Sequence, residues 1–197
     1  RGEGCMEIYV VRHGQTDYNI KQVFQGHIDI PLNETGKKQA QEIALRFKDI
    51  DIDMILVSPL QRTIQTAEYI SQVTDIPITV EERIIERSFG DMEGHQNREN
   101  WNIKMMLDYN KNYNIENIEP IQSLFKRIYN FLDEITEKYK DKKIVLVTHG
   151  AVSQPIECYF NGMPETMDFE HLEKLTLKNC EVRIYNDKKN KSEYKKG

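Results

Sequence analysis

The chain has 197 residues, of which 39% are hydrophobic and 30% charged, enough for one globular domain that buries its core without disulfides or a structural metal. A net charge of −5 excludes a general nucleic-acid surface, so any anion must be met by a local cluster of positive groups. The apolar runs, such as Ile144 to Val147, fall far short of the roughly 18 residues of a spanning helix, so no membrane partner is expected. Arg12 interrupts the first apolar stretch before it reaches signal-peptide length. Three widely spaced cysteines, Cys5, Cys158 and Cys180, suit a reduced cytoplasmic protein better than a disulfide framework. The first methionine is Met6, and residues 1–5 are expected to be a cloning remnant.

In chain order, Ile8 to Val11 is β-branched and aromatic, a buried strand that stops at Arg12-His13-Gly14. Asn33 is the expected N-cap of a helix carrying Ala40, Ile43, Ala44 and Phe47 on one stripe. Met54 to Val57 is the second strand, and the spacing of Ile64, Ala67 and Ile70 predicts a helix from Leu60. Ile78 to Val80 is a short third strand. Residues 81–120 read as a loop followed by an irregular helical insertion over about 95–120. A strong helix from Ser123 places Leu124, Phe125, Ile128, Phe131, Leu132, Ile135 and Tyr139 on one face. Ile144 to Val147 forms the next strand, followed by a helix through Pro155, Ile156 and Phe160 that ends before Gly162. Leu175 to Leu177 and Val182 to Ile184 read as closing strands. Asp187 to Gly197 is a basic tail, with five lysines against Asp187 and Glu193.

Strands alternating with helices predict an α/β fold, a three-layer α/β/α sandwich with a mostly parallel central sheet in one domain over 6–186. Within it, two strands end in the same way, at His13-Gly14 and at His149-Gly150. Ligands of open α/β sheets bind beyond the carboxyl ends of strands, where two distant histidines can share one pocket. Arg12 and Asn19 accompany the first histidine, and Arg62 lies in the first turn expected after the second strand. Two guanidiniums, two imidazoles and an amide are the donor set of a tetrahedral oxyanion such as phosphate. Surface ion pairs would be the ordinary fate of the two arginines taken alone. None of the five histidines lies in a zinc motif and there is no Walker-type loop, so neither metal nor cofactor is expected.

Arg12-His13-Gly14-Gln15-Thr16 with Asn19 resembles the RHGxTxxN signature of the histidine phosphatase superfamily, in its phosphoglycerate-mutase-like branch. The likeness continues through Gln25-Gly26, Asp29, Pro31-Leu32 and Gly36, then Ser58-Pro59-Leu60 with Arg62 and Gln65-Thr66-Ala67. Glu86-Arg87, Gly90 and Glu93-Gly94 follow, and His149-Gly150 with Asn179-Cys180 completes a series of blocks in the family's order.

The resemblance implies a metal-independent phosphomonoesterase acting on a small phosphorylated substrate. His13 would be the nucleophile that forms a phosphohistidine, with its other ring nitrogen held by a backbone acceptor. Arg12, Arg62, His149 and Asn19 would hold the phosphoryl oxygens, with Gly14, Thr16, Gln25 and Gly26 lining the substrate side. Glu86 would be the general acid and base, although Glu81, Glu82 and Glu93 are near neighbours, and Glu93 reads as a loop-fixing residue. A phosphoglycerate mutase and a catalytically silent phosphate-binding module are the alternatives. Against the mutase stand Val23, where mutases carry an arginine, Glu86-Arg87-Ser88-Phe89-Gly90 in place of Glu-Arg-His-Tyr-Gly, and few basic residues between 95 and 110. The segment from Ser88 to Gly94 is more similar to small phosphatases such as the α-ribazole phosphate phosphatases. Trp101, Met105, Met106, Tyr109 and Tyr113 either contact a leaving group or pack the insertion itself.

Overall fold

The computed structural model describes residues 5–96, 103–111 and 117–186. Five strands form one sheet: β1 (Glu7–Arg12), β2 (Met54–Val57), β3 (Ile78–Val80), β4 (Lys143–Thr148) and β5 (Val182–Asn186). Their spatial order is β3-β2-β4-β1-β5, parallel throughout except for β5, which runs antiparallel against β1. Strands of a mostly parallel sheet are buried on both faces, which is why these segments read as continuous apolar runs.

Alternate side chains of each strand serve the two layers. Tyr9, Val11, Ile55, Val57, Val145 and Val147 pack against α2 (Glu34–Leu45) and α3 (Gln61–Thr74) through Ala44, Ala67 and Ile70. Ile8, Val10, Leu56, Ile144 and Leu146 face the other way, onto α5 (Ile121–Lys138) and α6 (Gly150–Asn161) through Leu124, Ile128, Phe131 and Ile156. The expected three-layer sandwich is the observed one. Asn33 caps α2 by accepting from the Gly36 N–H at 2.8 Å.

Three local expectations need correction. Leu175 to Leu177 is not a strand. Leu175 caps a helix that the sequence reading missed, α7 (Phe169–Lys174), whose N-cap Asp168 accepts from the His171 N–H. Leu177 is buried, but its N–H donates to Ser153 Oγ and its carbonyl accepts from Arg12, so no ladder can form there. The long helix begins at Ile121 rather than Ser123, with Pro120 as its N-cap. A four-residue helix, α1 (Asp17–Ile20), closed by a Thr16–Asn19 capping box, was also unforeseen.

Within the insertion, α4 (Ile103–Met106) is short. Met106 is buried with Phe89, Met92 and Ile118, and Tyr109 packs on Phe125 with ring centroids 4.9 Å apart. These two pack the insertion onto the rest of the domain. Trp101, Tyr113, the Met105 side chain and the tail 187–197 lie outside the described residues. Among the described residues no helix is long and apolar enough to cross a membrane.

Candidate active site

Strand register brings the two histidines together. Strands β1 and β4 pair in parallel with Ile8 opposite Ile144 and Arg12 opposite Thr148. The ladder runs one step further, His13 N–H donating to Thr148 O at 3.0 Å. His13 and His149 therefore leave the sheet side by side at its carboxyl edge. Their rings lie edge-to-face, with centroids 5.3 Å apart and with 2% and 0% of their surfaces exposed.

The His13 ring has a determined tautomer. Its Nδ1 lies 2.7 Å from Gly14 O, and a carbonyl can only accept, so Nδ1 carries the proton and Nε2 the lone pair. Gly14 also donates its own N–H to Thr66 Oγ1 at 3.0 Å. A Cβ on Gly14 would sit 2.5 Å from Gly36 O, so the chain after the histidine closes against α2 only with glycine there. Burial, then the charges of Arg62 and Arg12, push the His13 pKa well below the usual imidazole value of 6.5. Burial and the same two arginines, with His13 and Arg127, do likewise to His149.

The guanidiniums are placed with equal definition. Arg62 stands in the first turn of α3, 1% exposed, with Nη1 on Ile28 O and Nη2 on Gly26 O, each at 2.8 Å. Arg12 lies over Gly150, whose hypothetical Cβ would be 3.1 Å from Arg12 Cζ, and donates from Nη1 to Leu177 O at 2.7 Å. Burial pulls both pKa values down, that of Arg62 to about 10, and the Glu86 carboxylate opposes this in each case.

Among the described residues, the buried side-chain nitrogens and oxygens with no hydrogen-bond partner are Arg12 Nε, Arg62 Nε and His149 Nδ1. Buried polar atoms are nearly always satisfied. The exceptions are three nitrogens of this one cluster, and two of them belong to cations, a donor set suited to an anion.

Glu86 and Asn19 complete the rim. Glu86, 9% exposed, accepts from the Arg87 N–H at 2.9 Å and more loosely from the Ala151 N–H, at the start of α6, at 3.4 Å. Asn19 Oδ1 accepts from the Thr16 N–H at 2.9 Å and from Asn179 Nδ2 at 3.3 Å. Its donating amide group is thus the one left for a ligand.

Of the residues expected on the substrate side, Gly14, Thr16 and Gly26 are buried, and Gln25 is partly buried with its Oε1 taken by Thr16. The backbone polar groups of Gly14 are both used, as above. Thr16 caps α1 and donates from Oγ1 to Gln25 Oε1 at 2.7 Å. Gly26 holds Arg62 through its carbonyl at a φ of 49°, and a Cβ there would strike Glu93. Glu93 in turn accepts from both the His27 and the Phe89 N–H groups at 3.0 Å, tying the loop at 22–28 to the one at 88–94.

Sequence reasoning gave no role to Ser58, Asn179 or Arg127. Ser58 Oγ lies 2.6 Å from His149 Nε2, and Asn179 Nδ2 donates to His13 O at 3.0 Å. On α5, Arg127 grips the chain around Glu86, donating to the carbonyls of Arg83 (2.7 Å), Ile85 (2.8 Å) and Glu86 (3.3 Å) while paired with Glu119 at 2.7 Å. Ser58 and Asn179 lie within matched family blocks, a signal that was available. Arg127 lies on the stripe-bearing α5, where helical periodicity gives polar residues no role.

A cavity of about 420 Å³ lined by Cys5, Glu7, Phe160 and Asn186 lies at the opposite end of β1 and shares no residue with this cluster.

The sequence pattern of the histidine phosphatase superfamily (branch 1) matches residues 8–196. The chain belongs to this family. It is 35% identical to "Uncharacterized phosphatase PhoE" of Bacillus subtilis over 88% of this chain and 87% of that one. It is 30% identical to "Probable phosphoglycerate mutase GpmB" of Escherichia fergusonii over 90% and 83%. The phosphoserine phosphatase of Entamoeba histolytica, solved with 3-phosphoglyceric acid, superposes with a TM-score of 0.76 at 27% identity, covering 91% of this chain and 89% of that one. The chain is a phosphatase of the histidine phosphatase type.

The depressed imidazoles have a consequence for stability. Below pH 6.5 an unfolded chain takes up protons on His13 and His149 that the folded chain refuses, so acidification favours unfolding. Above that pH the two residues contribute no pH dependence. With two protons, the slope from this pair reaches at most about 2.7 kcal/mol per pH unit. Denaturant titrations between pH 4.5 and 7.5 should show this acid loss shrink in a His13→Gln, His149→Gln double variant. An unchanged profile would mean that the rings titrate freely.

Proposed function

We propose that this chain is a metal-independent phosphomonoesterase working through a phosphohistidine on His13, with Glu86 as general acid and base. The observation that carries the reading is the set of three unsatisfied buried nitrogens on Arg12, Arg62 and His149 beside the lone-pair nitrogen of His13. In the first step His13 Nε2 bonds to phosphorus and the ester P–O bond breaks, with Glu86 giving the leaving oxygen its proton. In the second, water gives a proton to Glu86 and attacks phosphorus, and the N–P bond breaks to release inorganic phosphate. The two guanidiniums, the His149 N–H and the Asn19 amide oppose the charge of the in-line transition state, the part a divalent cation plays in other phosphoryl transfers.

The mutase reading draws on the GpmB match. Against it, Arg87 is unavailable as an anchor for a second anionic group. It is 2% exposed and donates inward from Nε to Glu119 O at 2.8 Å and from Nη2 to Met106 O at 3.1 Å. Arg98 lies outside the described residues. A small metabolite whose single phosphate ester is its only anionic group, such as a sugar phosphate, fits this site better than a substrate needing two anion clamps.

A screen of phosphorylated metabolites, run with a chelator and scoring free phosphate separately from isomerised product, tests this function. Free phosphate without isomer is expected, and isomer as the main product would install the mutase instead. In the first step, read as the burst of leaving alcohol, Glu86→Gln should slow alkyl phosphates by roughly 10²- to 10⁴-fold while sparing aryl phosphates, whose leaving groups need no proton. An equal loss on both would move the acid elsewhere.

A further inference from the structure

Ser58 follows β2 directly and extends its pairing with β4, its N–H donating to Val147 O at 3.1 Å. Its carbonyl accepts from Thr63 Oγ1 at 2.9 Å, so its backbone is held on both sides. Its hydroxyl lies 2.6 Å from His149 Nε2, and both residues are 0% exposed. Among the described residues this is the hydroxyl's hydrogen bond, and the opposite ring nitrogen, Nδ1, has none.

We propose that Ser58 is a positioning residue that donates its hydroxyl proton to His149 Nε2, fixing the neutral tautomer with its N–H on Nδ1, directed at the phosphoryl oxygens. This rests on the reading of the cluster as the phosphoryl site. The two protons could be arranged otherwise, but at a cost. Were Nε2 to carry the ring proton, the Ser58 hydroxyl hydrogen would have no acceptor, and a lone pair on Nδ1 would face the anion. Arg62, Arg12, His13 and Arg127 all bear on His149 and disfavour a doubly protonated ring. With the proton on Nδ1, each group is satisfied once the anion is bound.

The two rings are then complementary. His13 has its proton on Nδ1, tied to Gly14 O, and offers a lone pair from Nε2. His149 has its lone pair tied to Ser58 and offers a proton from Nδ1. One imidazole is set as nucleophile and the other as hydrogen-bond donor, by one backbone carbonyl and one hydroxyl.

The experiment is a long-range proton–nitrogen correlation spectrum of the full chain labelled with ¹⁵N-histidine at pH 7. His149 is assigned by the signals lost in His149→Gln. A single neutral tautomer protonated on Nδ1 is expected, with its Nδ1 signal shifting when orthovanadate is added. Ser58→Ala should give a mixture of tautomers and about tenfold weaker orthovanadate inhibition, and Ser58→Thr, which keeps a hydroxyl, should restore the tautomer. An Nε2-protonated or doubly protonated His149 in the unmodified protein overturns the proposal, as does an unaltered tautomer in Ser58→Ala. The unmodified spectrum decides even if Ser58→Ala folds poorly. It is read without turnover, so a failed tautomer and a failed phosphatase assay are separate results.

Discussion

His13→Ala should abolish phosphate release, lowering turnover by about 10⁶-fold, the scale of nucleophile loss in other covalent enzymes. Rapid quench with a labelled phosphomonoester should show no acid-labile phosphoprotein. Binding should survive, because Arg12, Arg62 and His149 keep their unsatisfied nitrogens. Fold should survive as well, since the strand register that brings this rim together is set by β1 and β4 and not by the ring. The variant thus separates binding from chemistry, with inorganic phosphate affinity near that of the parent and phosphate release near zero. Undiminished turnover would remove the phosphohistidine mechanism altogether.

Arg62→Met should lower kcat/KM by about 10³-fold, the lower end of what a single transition-state arginine supplies in phosphoryl transfer. Stability should change far less. The side chain satisfies Gly26 O and Ile28 O, and leaving them unpaired costs roughly 1–3 kcal/mol each where water cannot take its place. Removing a cation whose pKa burial has lowered to about 10 relieves a desolvation cost in the opposite direction. Arg62→Lys should not rescue activity. A lysine cannot hold two carbonyls with the ends of a fork while presenting a third N–H from its middle. Kinetics and calorimetry on both variants check this together, and full activity in Arg62→Lys would show that the site needs only a positive charge.

Much of this was legible in the sequence because the relevant forces are local. Ile8 to Val11 and Ile144 to Val147 could be read as strands because burial on both faces demands an unbroken β-branched run. Arg62 could be placed in a first helical turn because the chain leaves β2 through Ser58-Pro59. Leu177 was misread for the opposite reason. Its apolar character is real and it is buried, but a distant Arg12 and Ser153 take its backbone groups, and no local pattern records that. Helix α7 was missed because six residues with one buried side chain, Leu172, leave almost no periodicity.

By itself, the sequence determined the layers, the order of the elements and the residue types of an anion site, since periodicity and motif spacing are properties of the chain alone. Only the tertiary structure decided the roles within that site. It showed which arginine nitrogens stay unpaired, which ring nitrogen of His13 is tied to Gly14, and that Gly14 and Gly26 spend their backbone groups on Thr66 and Arg62. Those facts depend on atoms brought together from β1, β2, β4 and α3. A hydrogen bond between groups far apart in the chain exists only once a buried sheet has fixed their separation to within a fraction of an ångström.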